Sequence, residues 1–192
     1  MTKKKLFDVV LSAGHVALGS NYDPGAEGKR EDGSKIQEAT LVLAYRDELA
    51  HCLREKGFRV ITPNDTLTLK QTIDFAMNFK INTVTLELHF NAFNGSAEGI
   101  EAFYDGKTKL SKALATKLTE KLSEALDQKN RGVKTEASSK RGKLGLLRSA
   151  PYPVILEIAF LDSLSDMAKV GNVDHWASIA SDAVYEVACE SK

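Results

Sequence analysis

Four side chains have the types and spacing for hydrolytic metal chemistry: His15, Glu38, His89 and Glu157. Two neutral imidazoles and a carboxylate, here His15, His89 and Glu38, make a usual ligand set for catalytic zinc, with a fourth position open to water. A metal there would acidify that water and polarise a carbonyl, and a carboxylate outside the metal would have to accept and return a proton. Glu157 suits that second role, because a carboxylate within Val154-Ile155-Leu156-Glu157-Ile158-Ala159-Phe160 is costly to bury unpaired. Plain alternatives exist for the others. A histidine at a strand end is often structural, and a glutamate in a first helical turn is favoured by the macrodipole whatever its function. His51 reads as a mid-helix residue, packed or half exposed, and at most a support behind a ligand. His175 reads as part of a late polar turn.

The elements that must position these groups follow from patterning. Residues 5–13 read as a buried strand ending at Gly14-His15, followed by a polar, glycine-containing loop to about residue 33. That loop carries the turn signal Asp23-Pro24-Gly25, where proline presets one dihedral and glycine accepts positive φ. Ser34 is placed to cap a helix to about residue 56, with Ile36, Leu43, Ala50 and Leu53 on one face, which puts Glu38 in its first turn. Residues 58–62 read as a strand, and Thr66 or Thr68 as the cap of a helix reaching Phe79. Residues 83–89 form a strand with Val84, Leu86 and Leu88 on one face, and 99–104 a further strand. Residues 110–126 are an amphipathic helix, 128–143 a basic loop with a short extended piece at Val133, and 144–148 an extended segment. Residues 153–158 are a buried strand, and helices start at Ser163 and near Val173. Strands alternating with helices predict an α/β fold: one domain over residues 1–192, with a mostly parallel twisted sheet flanked by helices. In such sheets ligands bind beyond the carboxyl ends of the strands, where His15, His89 and Glu157 fall.

Composition narrows the partners. Lys plus Arg and Asp plus Glu number 26 each, so no global field draws the chain to nucleic acid or acidic lipid. Cys52 and Cys189 make neither a disulfide framework nor a paired-cysteine zinc site, and both are expected as buried thiols. Met1-Thr2-Lys3-Lys4-Lys5 imitates the basic end of a signal peptide, but Asp8 interrupts the apolar run and no cleavage pattern follows. No apolar run approaches the roughly 20 residues of a membrane span. The expectation is a protein made in the cytoplasm without a signal peptide and without stable membrane insertion.

The ordered motifs resemble those of the zinc-dependent N-acetylmuramoyl-L-alanine amidases of bacterial cell walls and phage endolysins, over nearly the whole chain. Leu11-Ser12-Ala13-Gly14-His15 followed by Asp23-Pro24-Gly25-Ala26 is similar to the family's opening, where a histidine ligand precedes a "DPGA" loop. Glu38 stands where the family has its glutamate ligand, and Leu88-His89-Phe90-Asn91-Ala92 resembles its "IHANA" strand end. Leu67-Thr68-Leu69, residues 99–104, Arg131-Gly132-Val133-Lys134 and Leu147-Arg148 also have counterparts. Pro153 through Phe160 resembles "PAVLVELGF", which sets the catalytic glutamate on Glu157. Lys70 and Pro63 replace family arginines, and Phe90 replaces a small residue beside His89.

The resemblance implies a zinc-exopeptidase-like fold and one Zn2+ on His15, Glu38 and His89. It also implies hydrolysis, through Glu157, of the amide joining N-acetylmuramic acid to L-alanine of peptidoglycan. Asn91 becomes a candidate substrate contact or support for His89, and the basic stretch Lys140-Arg141-Gly142-Lys143 a candidate attractor for the anionic stem peptide. A phage lysin reaching the wall after holin-type release is the expected setting. Spacing alone also fits a zinc peptidase acting on other peptides, or a non-catalytic cell-wall binding module. The "DPGA" loop and the segment after Gly99 favour the amidase, and Glu157 is a group that pure binding does not need.

Overall fold

Strict alternation builds the centre of the fold. Along the strand Thr83–Asn91 the even-numbered Val84, Leu86, Leu88 and Phe90 enter the main core, so the pleat turns Glu87, His89 and Asn91 to the opposite face. The computed structural model describes residues 7–79, 82–139 and 142–190. In chain order the elements are β1 (Asp8–Ala13), β2 (Glu27–Lys29), β3 (Lys35–Gln37), α1 (Glu38–Glu55), β4 (Val60–Ile61) and α2 (Leu69–Ala76). There follow β5 (Thr83–Asn91), β6 (Ile100–Tyr104), α3 (Lys109–Ala125), β7 (Asn130–Thr135), a 3-10 turn (Glu136–Ser138) and α4 (Gly145–Ser149). The described chain finishes with β8 (Pro153–Phe160), α5 (Leu164–Val170) and α6 (Val173–Glu190).

The main sheet has the order β4-β1-β5-β8-β6-β7. The first four strands are parallel, as the alternation of elements predicts, whereas β6 runs antiparallel to β8 and parallel to β7. The reversal has a simple cause. Residues 92–99 between β5 and β6 are too few for a parallel crossover, which takes about a dozen residues or more. On one face α1, α3 and α6 cover Val9 and Leu11 of β1 and the even-numbered residues of β5, β8 and β6, with Tyr45 edge-on to both Trp176 and Phe90 at ring distances of 5.2 and 5.1 Å. The opposite face is covered only in part, by α2 and α4, over a small cluster of Phe103, Leu146, Leu147 and Ile155. The uncovered part of that face is where the polar side chains of β5, β6 and β8 gather.

Several local expectations are corrected. Ser34 caps no helix, because Lys35–Gln37 pairs with Glu27–Lys29 as a hairpin within the long loop. The helix starts instead at Glu38, and its first N–H groups are met by the carbonyls of Ala26 and Pro24 at 2.9 and 3.1 Å. A tertiary cap has replaced the local one. Residues 144–148 are not extended: α4 forms so that Leu146 and Leu147 can both bury against Phe103 and Ile155. The short extended piece expected at Val133 is part of a longer edge strand, β7 over Asn130–Thr135, where pairing with β6 overrides the poor strand propensity of Asn, Gly and Lys. Thr68, rather than Thr66, caps α2 with a full capping box, and the helix ends at Ala76, before Phe79. His51 is exposed on α1, 3.6 Å from Glu55, and His175 lies in the first turn of α6 rather than in a polar turn. Cys52 and Cys189 are half-buried thiols rather than buried ones. Among the described residues no helix is long and apolar enough to cross a membrane. Lys5 and Leu6 of the first predicted strand, and Lys140 and Arg141 of the basic stretch, lie outside the described residues.

One buried carboxyl group ties the polar strands together. Asp166, fully buried in α5, accepts from Gly99 N and Phe160 N at 2.9 and 2.7 Å and from Gln128 Nε2 at 2.9 Å. It thereby joins the end of β8 to the start of β6 and to the turn after α3. Asp166→Ala would leave three buried donors without their acceptor, and should lower stability by about 3 kcal/mol. An unchanged urea midpoint with an unchanged slope would show that water or a relaxed backbone replaces the carboxylate.

Candidate metal centre

The site forms where β1 and β5 end and α1 begins. His15 follows β1 in the left-handed region at φ 67, a conformation rare outside glycine that turns its ring toward β5. Val16 and Asp23 exchange backbone hydrogen bonds at 3.2 and 3.0 Å, closing the intervening loop and bringing Asp23 back beside His15. Asp23 Oδ2 is 2.8 Å from His15 Nδ1, which leaves His15 Nε2 to face Glu38 Oε2 at 3.1 Å.

Glu38 is the most enclosed member, 1% exposed as a residue. Its Oε2 accepts from Ala26 N at 2.7 Å and its Oε1 from Phe90 N at 2.9 Å. Oε1 also lies 2.9 Å from His89 Nδ1. One carboxylate therefore holds the Asp23-Pro24-Gly25-Ala26 loop, the end of β5 and both imidazoles. The packing leaves no room for a methyl group nearby. A Cβ on Gly25 would lie 2.5 Å from Glu38 Oε2 and from His15 Cδ2, and one on Gly14 2.2 Å from His89 Cε1.

The electrostatics follow from this enclosure. Burial alone would raise the Glu38 pKa, but hydrogen bonds and charge from His15 and His89 outweigh it and hold the carboxyl far below its ordinary range. Burial pulls both histidines down, yet Glu38, helped by Asp23 for His15 and by Glu87 for His89, lifts both above the usual imidazole value. The site thus concentrates anionic and basic donors around one point.

Ligand atoms of His15, Glu38 and His89 lie within 4.8 Å of one another. The buried Nε2 of His15 makes no well-aligned hydrogen bond, its contact being the 3.1 Å approach to Glu38 Oε2. Two ring nitrogens, one of them the poorly satisfied Nε2 of His15, and a carboxylate oxygen fit a borderline-soft divalent cation such as zinc.

Glu157 completes the constellation by register. It pairs with His89 across β5 and β8, and with Glu101 across β8 and β6. Adjacent strands lie about 4.8 Å apart, so these three side chains form one row on the exposed face of the sheet. The row floors a cleft of about 710 Å³. Glu101 is committed to cations: Arg131 Nε at 2.7 Å and Lys134 Nζ at 2.6 Å hold its carboxyl below the ordinary range against the opposing effect of burial. Asn91 donates to Glu101 Oε1 at 3.2 Å rather than supporting His89. Lys143, from the basic stretch, lines the cleft.

Residues 9–187 match the family model for N-acetylmuramoyl-L-alanine amidase. The chain belongs to that family. It is 32% identical over 191 residues to an uncharacterised cell wall amidase of Bacillus anthracis, covering 92% of this chain and 34% of that protein. The chain therefore spans about a third of the length of that curated relative. Cwp6 from Clostridium difficile superposes with a TM-score of 0.78 at 28% identity, covering 96% of this chain and 29% of that one. The catalytic domain of the CD27L endolysin targeting Clostridia difficile superposes with a TM-score of 0.69 at 21% identity, covering 94% and 97% of the two chains.

In this amidase family member, sequence reasoning passes over three acidic residues. Asp23 reads only as turn chemistry, yet it fixes the His15 ring. Glu87 and Glu101 are invisible as isolated charges, although the alternation that puts Val84, Leu86 and Leu88 on the core face already puts Glu87 beside His89. The close approach at Gly25 gives a direct check. Gly25→Ala should displace the Glu38 carboxylate and weaken retention of a divalent metal by roughly tenfold, read as metal content after dialysis. Full retention would mean the loop yields without moving Glu38.

Proposed function

We propose that the protein hydrolyses the amide between N-acetylmuramic acid and the L-alanine of peptidoglycan. In this reading one zinc ion sits on His15, Glu38 and His89, and Glu157 is the catalytic carboxylate. The observation that carries it is the row His89–Glu157–Glu101 on the floor of an open cleft, with a half-buried carboxylate one strand away from a candidate metal ligand. Zinc, when bound, supplies Lewis-acid chemistry, lowering the pKa of water and polarising the scissile carbonyl.

The chain's own residues do the rest. Asp23 and the backbone N–H groups of Ala26 and Phe90 keep His15 and Glu38 fixed, so that little reorganisation accompanies reaction. Glu157 accepts a proton from the attacking water and passes one to the alanine nitrogen as the C–N bond breaks. Arg131 and Lys134 neutralise Glu101, which leaves the acid–base work to Glu157. Asn91 is assigned as a substrate contact through the amide atoms not engaged with Glu101. Residues 1–192 act in this reading as a single catalytic domain with peptidoglycan as partner. A lytic setting with holin-type release goes with it and rests on the resemblance to endolysins.

Purified protein supplied with zinc should release new free L-alanine amino termini from peptidoglycan, identified by muropeptide mass, and chelation should stop the reaction. New reducing sugar ends in their place would indicate a glycosidase and overturn the assignment. Cleavage of plain peptides in preference to muropeptides would move the protein to the peptidases. Glu157→Gln should lower turnover by about 10²- to 10⁴-fold with zinc still bound. Loss of the metal in that variant would make Glu157 a ligand instead.

A further inference from the structure

His89 is held from both sides. Its Nδ1 faces Glu38 Oε1 at 2.9 Å, and its Nε2 faces Glu87 Oε1 at 3.1 Å. Glu87 stands two residues earlier on β5, so the pleat places it on the same face as His89. Its second oxygen accepts from Ser12 Oγ at 3.0 Å, and Ser12 is its register partner on β1.

Glu87 is an expensive residue to keep there. It is 3% exposed, and its partners, Ser12 and His89, carry no fixed positive charge. A buried carboxylate in such surroundings costs stability relative to an apolar residue of similar size. Glu101, on the same face, has Arg131 and Lys134 to offset that cost. Glu87 has in their place the Ser12 hydroxyl and the His89 imidazole.

We propose that Glu87 is a positioning residue for the metal: it accepts the Nε2–H of His89 and so holds the ring with Nδ1, on the Glu38 side, presented to the ion. An imidazole backed by a carboxylate is both oriented and made more basic as a ligand. Asp23 does the same for His15 from an exposed loop, with its side chain 58% exposed. Glu87 acts from inside the sheet, where water does not screen it. Ser12 holds the carboxylate in turn, so the chain of contact runs from β1 through β5 to the ligand nitrogen. This inference rests on the zinc reading above.

The test is a zinc titration of the full chain against a chromophoric chelator, for the wild type, Glu87→Leu and Glu87→Gln, with the thermal midpoint of each metal-free protein measured alongside. Glu87→Leu should bind zinc about 10- to 100-fold more weakly, while its metal-free form melts no lower than the wild type. A packing role would move these readouts the other way: lower melting with unchanged zinc affinity, which overturns the proposal. Glu87→Gln, which keeps the shape, should weaken zinc binding by a smaller factor and shift the Nε2–H resonance of His89 in the loaded protein. Unchanged affinity and resonance in Gln would also overturn it, and this holds even if the leucine variant fails to fold. A wild type that takes up no zinc would remove the metal assignment itself, a result distinct from failure of the variants alone.

Discussion

The structure is arranged around the buried carboxylate of Glu38. Its side chain is 2% exposed, and a carboxylate in that position is tolerated only when its oxygens are fully engaged. Two backbone N–H groups and two imidazoles engage them here, and they come from three separate segments. The loop 23–26, the end of β5 and the residue after β1 must all converge on the first residue of α1. Many local oddities then follow. His15 adopts a left-handed backbone, and Gly14 and Gly25 occupy points where no side chain fits. The hairpin of β2 and β3 leads directly into α1, whose first residue is Glu38.

The sheet divides labour between its two faces. The helix-covered face carries an almost wholly apolar row from β1, β5 and β8, and this supplies the burial that stabilises the fold. The other face carries Glu87, His89, Glu157 and Glu101, a concentration of ionisable groups that lowers stability unless each is offset. The offsets differ in kind. Glu101 is neutralised by Arg131 and Lys134, whose guanidinium also stacks, in the case of Arg131, 4.8 Å over Phe160. Glu87 is tied to a hydroxyl and an imidazole. These differences give carboxylates on one face of the sheet distinct surroundings.

The departures from the family's motifs fall away from this chemistry. Phe90 is even-numbered on β5, so its ring points into the core against Tyr45 while His89 points to the cleft. Lys70 is on the solvent side of α2, paired with Asp74 at 2.6 Å. Pro63 is buried next to the loop that Arg46 pins through Asp65. None of the three replaces a side chain that supplies a donor atom to the site.

By itself the sequence determined the layered α/β class, most strand positions and the residue types of the site, because apolar periodicity and ordered motifs are local properties of the chain. It did not reveal that residues 35–37 pair as a strand, that 145–149 coil, or that 130–135 join the sheet. Those outcomes depend on partners far along the chain, which outweigh propensity in short segments. It named His15, Glu38, His89 and Glu157 without saying how they meet. Glu38 in particular carried no local mark beyond its place in a first helical turn. Only the tertiary structure decided that its carboxylate is buried between two imidazoles, that Asp23 and Glu87 stand behind them, and that Asn91 turns to Glu101. The reason is physical: hydrogen bonding and desolvation of a charge are set by what surrounds it in space, and neighbours in sequence fix only a small part of that surrounding.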